Sequence, residues 1–268
     1  MKLSLSARLS LRTVALGYLF ALLLLPLLVI LWRTFERGVG AFIDSISTPA
    51  AISAFQLSML IVVVVVPINV VFGVVTALAL VRGRFPGRNL VQGVVDLPFA
   101  TSPVVVGVAL ILLWGAGGWF GGLEKLGLQV IFGLPGMVIA TIFVTLPFVV
   151  REVEPVLVEI GDDQEQAAAT LGASAWQSFW RITLPAIRWG LTYGVVLTVA
   201  RALGEFGAVI MVSSALPGES LTLTLLVHGR YINDHNTFGA YSAATLLMGI
   251  ALLTLVSMTL LERRRDAK

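Results

Sequence analysis

Asp162-Asp-Gln-Glu165-Gln-Ala-Ala-Ala-Thr-Leu-Gly172-Ala-Ser-Ala-Trp176-Gln-Ser-Phe-Trp-Arg-Ile182-Thr-Leu-Pro185 is the one long polar interruption between strongly apolar segments of this chain. Asp162 followed three residues later by Glu165 has the spacing of a helix N-cap box, in which each side chain satisfies the other residue's free backbone N–H. A short helix is therefore expected from Asp162. Acidic residues suit its positive end, and Ala167, Ala168 and Ala169 favour helix without bulk that would hold a partner away. Gly172 is expected to end it in a left-handed turn. Beyond the glycine, Trp176, Phe179, Trp180 and Leu184 fall at helical spacing on one face of a second helix that closes at Pro185. Such a face requires something to pack against.

The composition says where this polar stretch stands. Of the 268 residues 57% are hydrophobic and 12% charged, and mean hydropathy is +0.95. Soluble globular chains do not have this balance, so the chain reads as an integral membrane protein. The pI of 9.6 and net charge of +3 do not indicate nucleic acid, because the Lys and Arg residues lie in short loops between apolar spans rather than on one basic face. With no cysteine there is neither a disulfide framework nor a thiolate site.

Six spans are expected, since a bilayer core needs about 20 apolar residues. They run over 14–32, 51–81 with Pro67 at its middle, 97–114, 130–150, 189–212 and 238–261. Residues 1–13 form a basic N-terminus, 14–261 the six-helix domain with its polar loop at 162–185, and 262–268 a basic tail. Prolines inside the spans are tolerated where neighbouring helices satisfy the freed carbonyls. With the N-terminus inside, thirteen Lys and Arg residues lie on inner segments and four (Arg33, Arg37, Lys125 and Arg230) on outer loops. That asymmetry places both termini and the 162–185 loop in the cytoplasm.

Ala167, Ala168, Gly172, Ile182, Leu184 and Pro185 match the spacing of the cytoplasmic signature of ABC importer membrane subunits: Glu-Ala-Ala, three residues, Gly, nine residues, Ile-x-Leu-Pro. Gln166 stands where that family has glutamate, with Glu165 one position earlier. The resemblance extends over nearly the whole chain to the sulfate/thiosulfate permease subunits of CysW type. It is carried by Asp96-Leu-Pro-Phe-Ala100 with Ser102-Pro-Val-Val105, by Ala140-Thr-Ile-Phe-Val-Thr145 with Pro147-Phe-Val149, and by Ala200-Arg-Ala-Leu-Gly-Glu-Phe-Gly-Ala-Val209. It implies a type I ABC importer permease fold, all-α with six transmembrane helices and a cytoplasmic coupling helix inserted into an ATPase subunit. Coupling residues would be Glu165, Gln166, Ala167, Ala168, Gly172, Trp176, Ile182, Leu184 and Pro185. Implied partners are a related second permease subunit, two ATPase subunits that bind ATP-Mg, and an extracytoplasmic sulfate-binding protein, in the cytoplasmic membrane of a prokaryote. Close relatives handle molybdate and tungstate, which keeps that anion class as an alternative.

No Gly-x4-Gly-Lys-Ser/Thr loop occurs, so ATP hydrolysis is assigned to a partner and no cofactor to this chain. His228 and His235 stand without carboxylates arranged around them and read as solvated side chains. Arg201 and Glu205, four apart inside the expected fifth span, are costly in lipid and are expected to meet on one helix face. That pair either locks helix packing or, with Ser102, lines the path of a dianion. The rivals from other classes are a secondary transporter or channel, which the loop argues against, and an intramembrane enzyme, for which no catalytic constellation appears.

Overall fold

Lipid offers no partner for backbone N–H and C=O groups, so an apolar chain of this kind must satisfy them within helices. The computed structural model describes residues 5–266, with side chains described for 9–122, 126–257 and 259, and it is helical with no strand among the described residues. Lys2 and Lys268, and the side chains of Arg8, Lys125, Arg263, Arg264 and Arg265 that enter the charge count, lie outside the described residues.

Helix α1 joins Leu5–Leu19 to Leu25–Phe35 through a π-helical turn at Phe20–Leu24. Next come α2 (Gly38–Ile46), α3 (Pro49–Arg82), α4 (Arg88–Ala100), α5 (Pro103–Trp114), α6 (Leu134–Ile160) and α7 (Asp163–Thr170). Helix α8 joins Ala175–Ser178 to Leu184–Leu203 through a second π-helical turn, Phe179–Thr183. The short α9 (Val209–Val212) and α10 (Leu223–His228) precede α11 (Thr237–Asp266). Five of these are long and apolar enough to cross a membrane, and six spans result when the α4–α5 pair counts as one.

Four expected boundaries change. The third span is not one helix from Leu97 to Trp114: α4 and α5 meet at 113°. Pro103 is the cause, because its ring pushes the preceding residue out of the α region, and Ser102 is extended at φ −66°, ψ 133°. The fourth span does not cover 130–150 but starts at Leu134, with Pro135 in its first turn, and runs on to Ile160, where Gly161 ends it at φ +63°. The fifth span does not reach Val212. It ends at Leu203, with Gly204 as C-cap. The second helix of the polar stretch does not close at Pro185 but continues to Leu203. A proline inside an α-helix clashes with the carbonyl four residues back, and a π turn widens the backbone where that clash would fall. Pro26 and Pro185 each sit two residues beyond such a turn.

Helix α6 is the axis of the bundle. Its Met137, Ala140 and Val144 join Ile61, Val65, Val209 and Leu223 in one apolar cluster. Its Val149, Val150, Val153 and Leu157 join Val74, Ala77, Leu80 and Ile187 in a second. Between them lies a polar step: the Asn69 side-chain amide donates to Thr145 Oγ1 at 2.6 Å, and Thr145 Oγ1 donates to the Thr141 carbonyl at 2.6 Å. An interhelical bond of this kind in a membrane stabilises by about 1 kcal/mol and fixes the depth at which α3 and α6 meet.

Glycine sets how closely the helices approach. A Cβ on Gly73 of α3 would lie 2.6 Å from Val149 Cβ, and one on Gly190 of α8 would lie 2.6 Å from the Glu152 carbonyl oxygen. On the next turn of α8, a Cβ on Gly194 would be 3.0 Å from Val149 Cα. Gly190 and Gly194 are a small-xxx-small pair.

Candidate functional site

The polar stretch folds differently at its start from the expectation and as expected at its middle. Asp162 is the N-cap residue of α7, but its side chain makes no capping bond, so the Asp162–Glu165 box does not form. Glu165 is held elsewhere. Its Oε2 accepts from Arg82 Nε at 3.0 Å, and its Oε1 accepts from the buried Thr183 hydroxyl at 2.7 Å. The capping box lies one helix later, where Ser174 Oγ accepts from the Gln177 N–H and Gln177 Oε1 accepts from the Ser174 N–H. Ser174-x-x-Gln177 has the spacing of that motif and is legible in the sequence.

Gly172 adopts φ +86°, the left-handed conformation expected of it. Gly172 N–H donates to the Ala169 carbonyl and Ala173 N–H to the Ala168 carbonyl, each at 3.0 Å, which is the Schellman pattern for closing a helix. Of the expected apolar face, Phe179 and Leu184 pack on the second core cluster. Trp176 and Trp180 remain 69% and 49% exposed, and Leu171 beside them is 89% exposed. Gln166, Ala167 and Pro185 are also exposed, whereas Ala168 and Ile182 are half-buried. A cleft of 530 Å³ opens between α3, α7 and α8, lined by Arg82, Glu165, Gln166, Ala169, Phe179 and Thr183.

The second cluster lies where α8 ends. Arg201 is in its last turn and Glu205 follows the helix, so the two meet across a helix terminus rather than on a continuous helix face. Arg201 Nη1 is 2.7 Å from Glu205 Oε2, with the Arg201 side chain 33% exposed and that of Glu205 1%. No N–H is directed at Oε2, so this is a charge contact without an aligned hydrogen bond. Glu205 Oε1 accepts the Ala208 N–H at 2.8 Å, just ahead of α9, and Thr224 Oγ1 donates to the Glu205 carbonyl at 2.8 Å. Gly207 comes next to the α4–α5 break, where its Cβ would lie 3.1 Å from Pro103 Cβ. Ser102, exposed at that break, is thereby brought to the same region as the Glu205 segment.

His228, expected to be a solvated side chain, is not one, and Arg230, counted among the outer-loop cations, is buried; His235 is exposed as expected. His228 is half-buried with its ring 5.1 Å from that of Phe206. Arg230 is 8% exposed and donates to the Ser45 carbonyl, Thr48 Oγ1 and the Gly239 carbonyl. Burial pushes its guanidinium below the usual arginine value, against the opposing charge of Asp234. Nothing in the sequence around Arg230 distinguishes it from a solvated loop residue, because its acceptors come from the last turn of α2, Thr48 just before α3 and the first turn of α11.

A family model for binding-protein-dependent transport system inner membrane components matches residues 69–267. The sulfate transport system permease protein CysW of Synechocystis sp. is 51% identical over 251 residues, covering 93% of this chain and 91% of that protein. CysT, a sulfate transport system permease protein of the same organism, is 34% identical over 247 residues, 92% of this chain and 86% of its own. In the crystal structure of a bacterial alginate ABC transporter in complex with an alginate pentasaccharide-bound periplasmic protein, one chain aligns with a TM-score of 0.80 at 17% identity. The alignment covers 96% of this chain and 94% of that one, which shows a shared fold. The chain is a multi-pass membrane protein and belongs to the binding-protein-dependent transport system inner membrane components, the permease subunits of ABC importers.

Proposed function

We propose that this permease subunit forms one half of a pathway that imports sulfate and thiosulfate across the cytoplasmic membrane of a prokaryote. The observation that carries this reading is the 51% identity to a sulfate permease across 93% of the chain. One organism encodes both a CysW and a CysT relative, which supports pairing with a distinct second permease subunit. In this reading the chain is not an enzyme. Two partner ATPase subunits bind ATP-Mg and hydrolyse it, and an extracytoplasmic sulfate-binding protein delivers the anion. Helix α7 is the coupling helix, and the exposed Gln166, Ala167, Leu171 and Trp176 with the Gly172 turn are the surface that meets the ATPase. The exposed tryptophans also suit the membrane interface, where an aromatic ring meets both headgroups and acyl chains.

Reconstitution of the four-subunit complex with the binding protein tests the substrate assignment. ATP-dependent uptake of radiolabelled sulfate is expected, with competition by thiosulfate and about tenfold weaker competition by molybdate, the discrimination that one badly matched polar contact produces. Molybdate uptake exceeding sulfate uptake would move the chain to the molybdate/tungstate class, and sulfate uptake without any ATPase subunit would move it to secondary transport.

Orientation is tested separately. Single cysteines at Ser174 and Leu128 of this cysteine-free chain are expected to react from opposite sides, with Leu128→Cys labelled by an impermeant maleimide added outside intact cells. Labelling of both positions from outside would overturn the cytoplasmic placement of α7 and of the termini.

A further inference from the structure

Helix α7 is connected to its neighbours at two glycines. Gly161 precedes it at φ +63° and Gly172 follows it at φ +86°, and a Cβ at either would meet nothing within 4 Å. Both connections thus turn on positive-φ glycines, Gly172 in a left-handed turn and Gly161 at ψ −168°, with open space where a Cβ would be, and they flank an eight-residue helix that can swing as a unit. The Schellman closure and the Ser174–Gln177 box are local and tie α7 to no span. Among the described residues, both side-chain hydrogen bonds that join α7 to the spans run through Glu165, one to Arg82 and one from Thr183.

The anchor beneath Glu165 is built across several helices. Arg82 is the last residue of α3, and its guanidinium also donates to the Leu157 carbonyl at 3.2 Å and to the Gly161 carbonyl. These are carbonyls that α6 leaves without helical partners as it ends, so Arg82 caps α6 while holding Glu165. Thr183, 3% exposed, lies in the π turn of α8. The Arg82 and Glu165 side chains are 22% and 23% exposed, sheltered enough to hold one geometry yet not sealed in the core. One carboxylate therefore joins the swinging helix to the ends of α3 and α6 and to the start of α8.

We infer that Glu165, held by Arg82 and Thr183, is a positioning residue that passes displacement of α7 to α3, α6 and α8, and so sets how tightly ATP hydrolysis is coupled to transport. This rests on α7 being the ATPase-docking element. Glu165 then acts as an internal strut, and contact with the ATPase falls to Gln166 and its exposed neighbours.

The test uses the complete complex in proteoliposomes, with radiolabelled sulfate as the probe and Gln164→Cys bearing a photoactivatable thiol reagent to report docking. Glu165→Ala is expected to keep the crosslink to the ATPase and to keep hydrolysis. Sulfate imported per ATP should fall about tenfold, the size of a typical coupling between sites, and stimulation of hydrolysis by the loaded binding protein should be lost. Glu165→Gln retains the acceptor for Thr183 and is expected to fall between wild type and Glu165→Ala. Loss of hydrolysis and import in equal proportion, or an unchanged ratio with the crosslink present, overturns the inference. An absent crosslink in the otherwise wild-type complex overturns the docking assignment instead. If Glu165→Ala does not assemble, Thr183→Val removes one of the two links, and a ratio equal to wild type in that variant also overturns it.

Discussion

Arg201→Met alone destabilises the protein by about 3 kcal/mol, and Glu205→Gln added to it returns most of that loss. The expectation follows from the unequal burial of the two charges. Glu205 is 1% exposed in its side chain and has one oxygen committed to the Ala208 N–H, so it has no route to water once the guanidinium is gone. Arg201 is 33% exposed, so its guanidinium is not sealed in the core when its partner is neutral. Glu205→Gln by itself is therefore expected to cost much less, because the amide oxygen still accepts from Ala208 and the less enclosed arginine keeps room to move. Unfolding free energies in mixed detergent micelles measure all three variants. Equal losses from the two single changes would show that burial does not govern the pair, and no recovery in the double variant would remove the ion pair as the stabilising contact.

The same variants separate two roles for Arg201. A residue that only neutralises Glu205 leaves transport per assembled complex intact in the double variant, whereas one that guides a dianion past the α4–α5 break does not. Recovery of stability with at most partial recovery of sulfate uptake is expected, since a guanidinium one third exposed is not spent entirely on its partner. Full uptake per assembled complex in the double variant would take Arg201 off the path.

Gly190→Leu is expected to have an effect of similar size by a different route, with a loss of about 3 kcal/mol or failure to accumulate folded protein. Its first added atom would lie 2.6 Å from the Glu152 carbonyl oxygen, and 2.9 Å from Val156 Cγ2. The valine side chain can rotate away. The carbonyl is part of the α6 backbone, so relief requires α8 to move outward from the axis of the bundle. Gly93→Leu is the control: a Cβ there meets nothing within 4 Å, and the change should be neutral or stabilising by about 0.5–1 kcal/mol through helix propensity. Comparable losses at the two positions would mean that α6 and α8 do not depend on backbone approach at Gly190.

The amino-acid sequence by itself determined the class of molecule, because spans of this length and hydropathy have no other way to satisfy their backbones than as membrane helices. It also determined the left-handed turn at Gly172, a local matter of one residue lacking a Cβ. The Gly190–Gly194 pair was equally legible as a small-xxx-small motif, although its meaning depends on which helix comes near. What only the tertiary structure decided is where each polar group finds its partner. Asp162 and Glu165 have the spacing of a cap, yet Arg82, 83 positions earlier, and the buried Thr183 hydroxyl take the carboxylate instead. Arg201 and Glu205 do meet, but at a helix end that Gly204 and the Ala208 N–H create rather than along an unbroken span. Arg230 reads as a loop cation and is buried among carbonyls from two other elements. Local propensity acts over a few residues and is written in order along the chain. A buried charge is matched by whatever donor or acceptor the packed helices bring within about 3 Å, and that choice is made only once the bundle has closed.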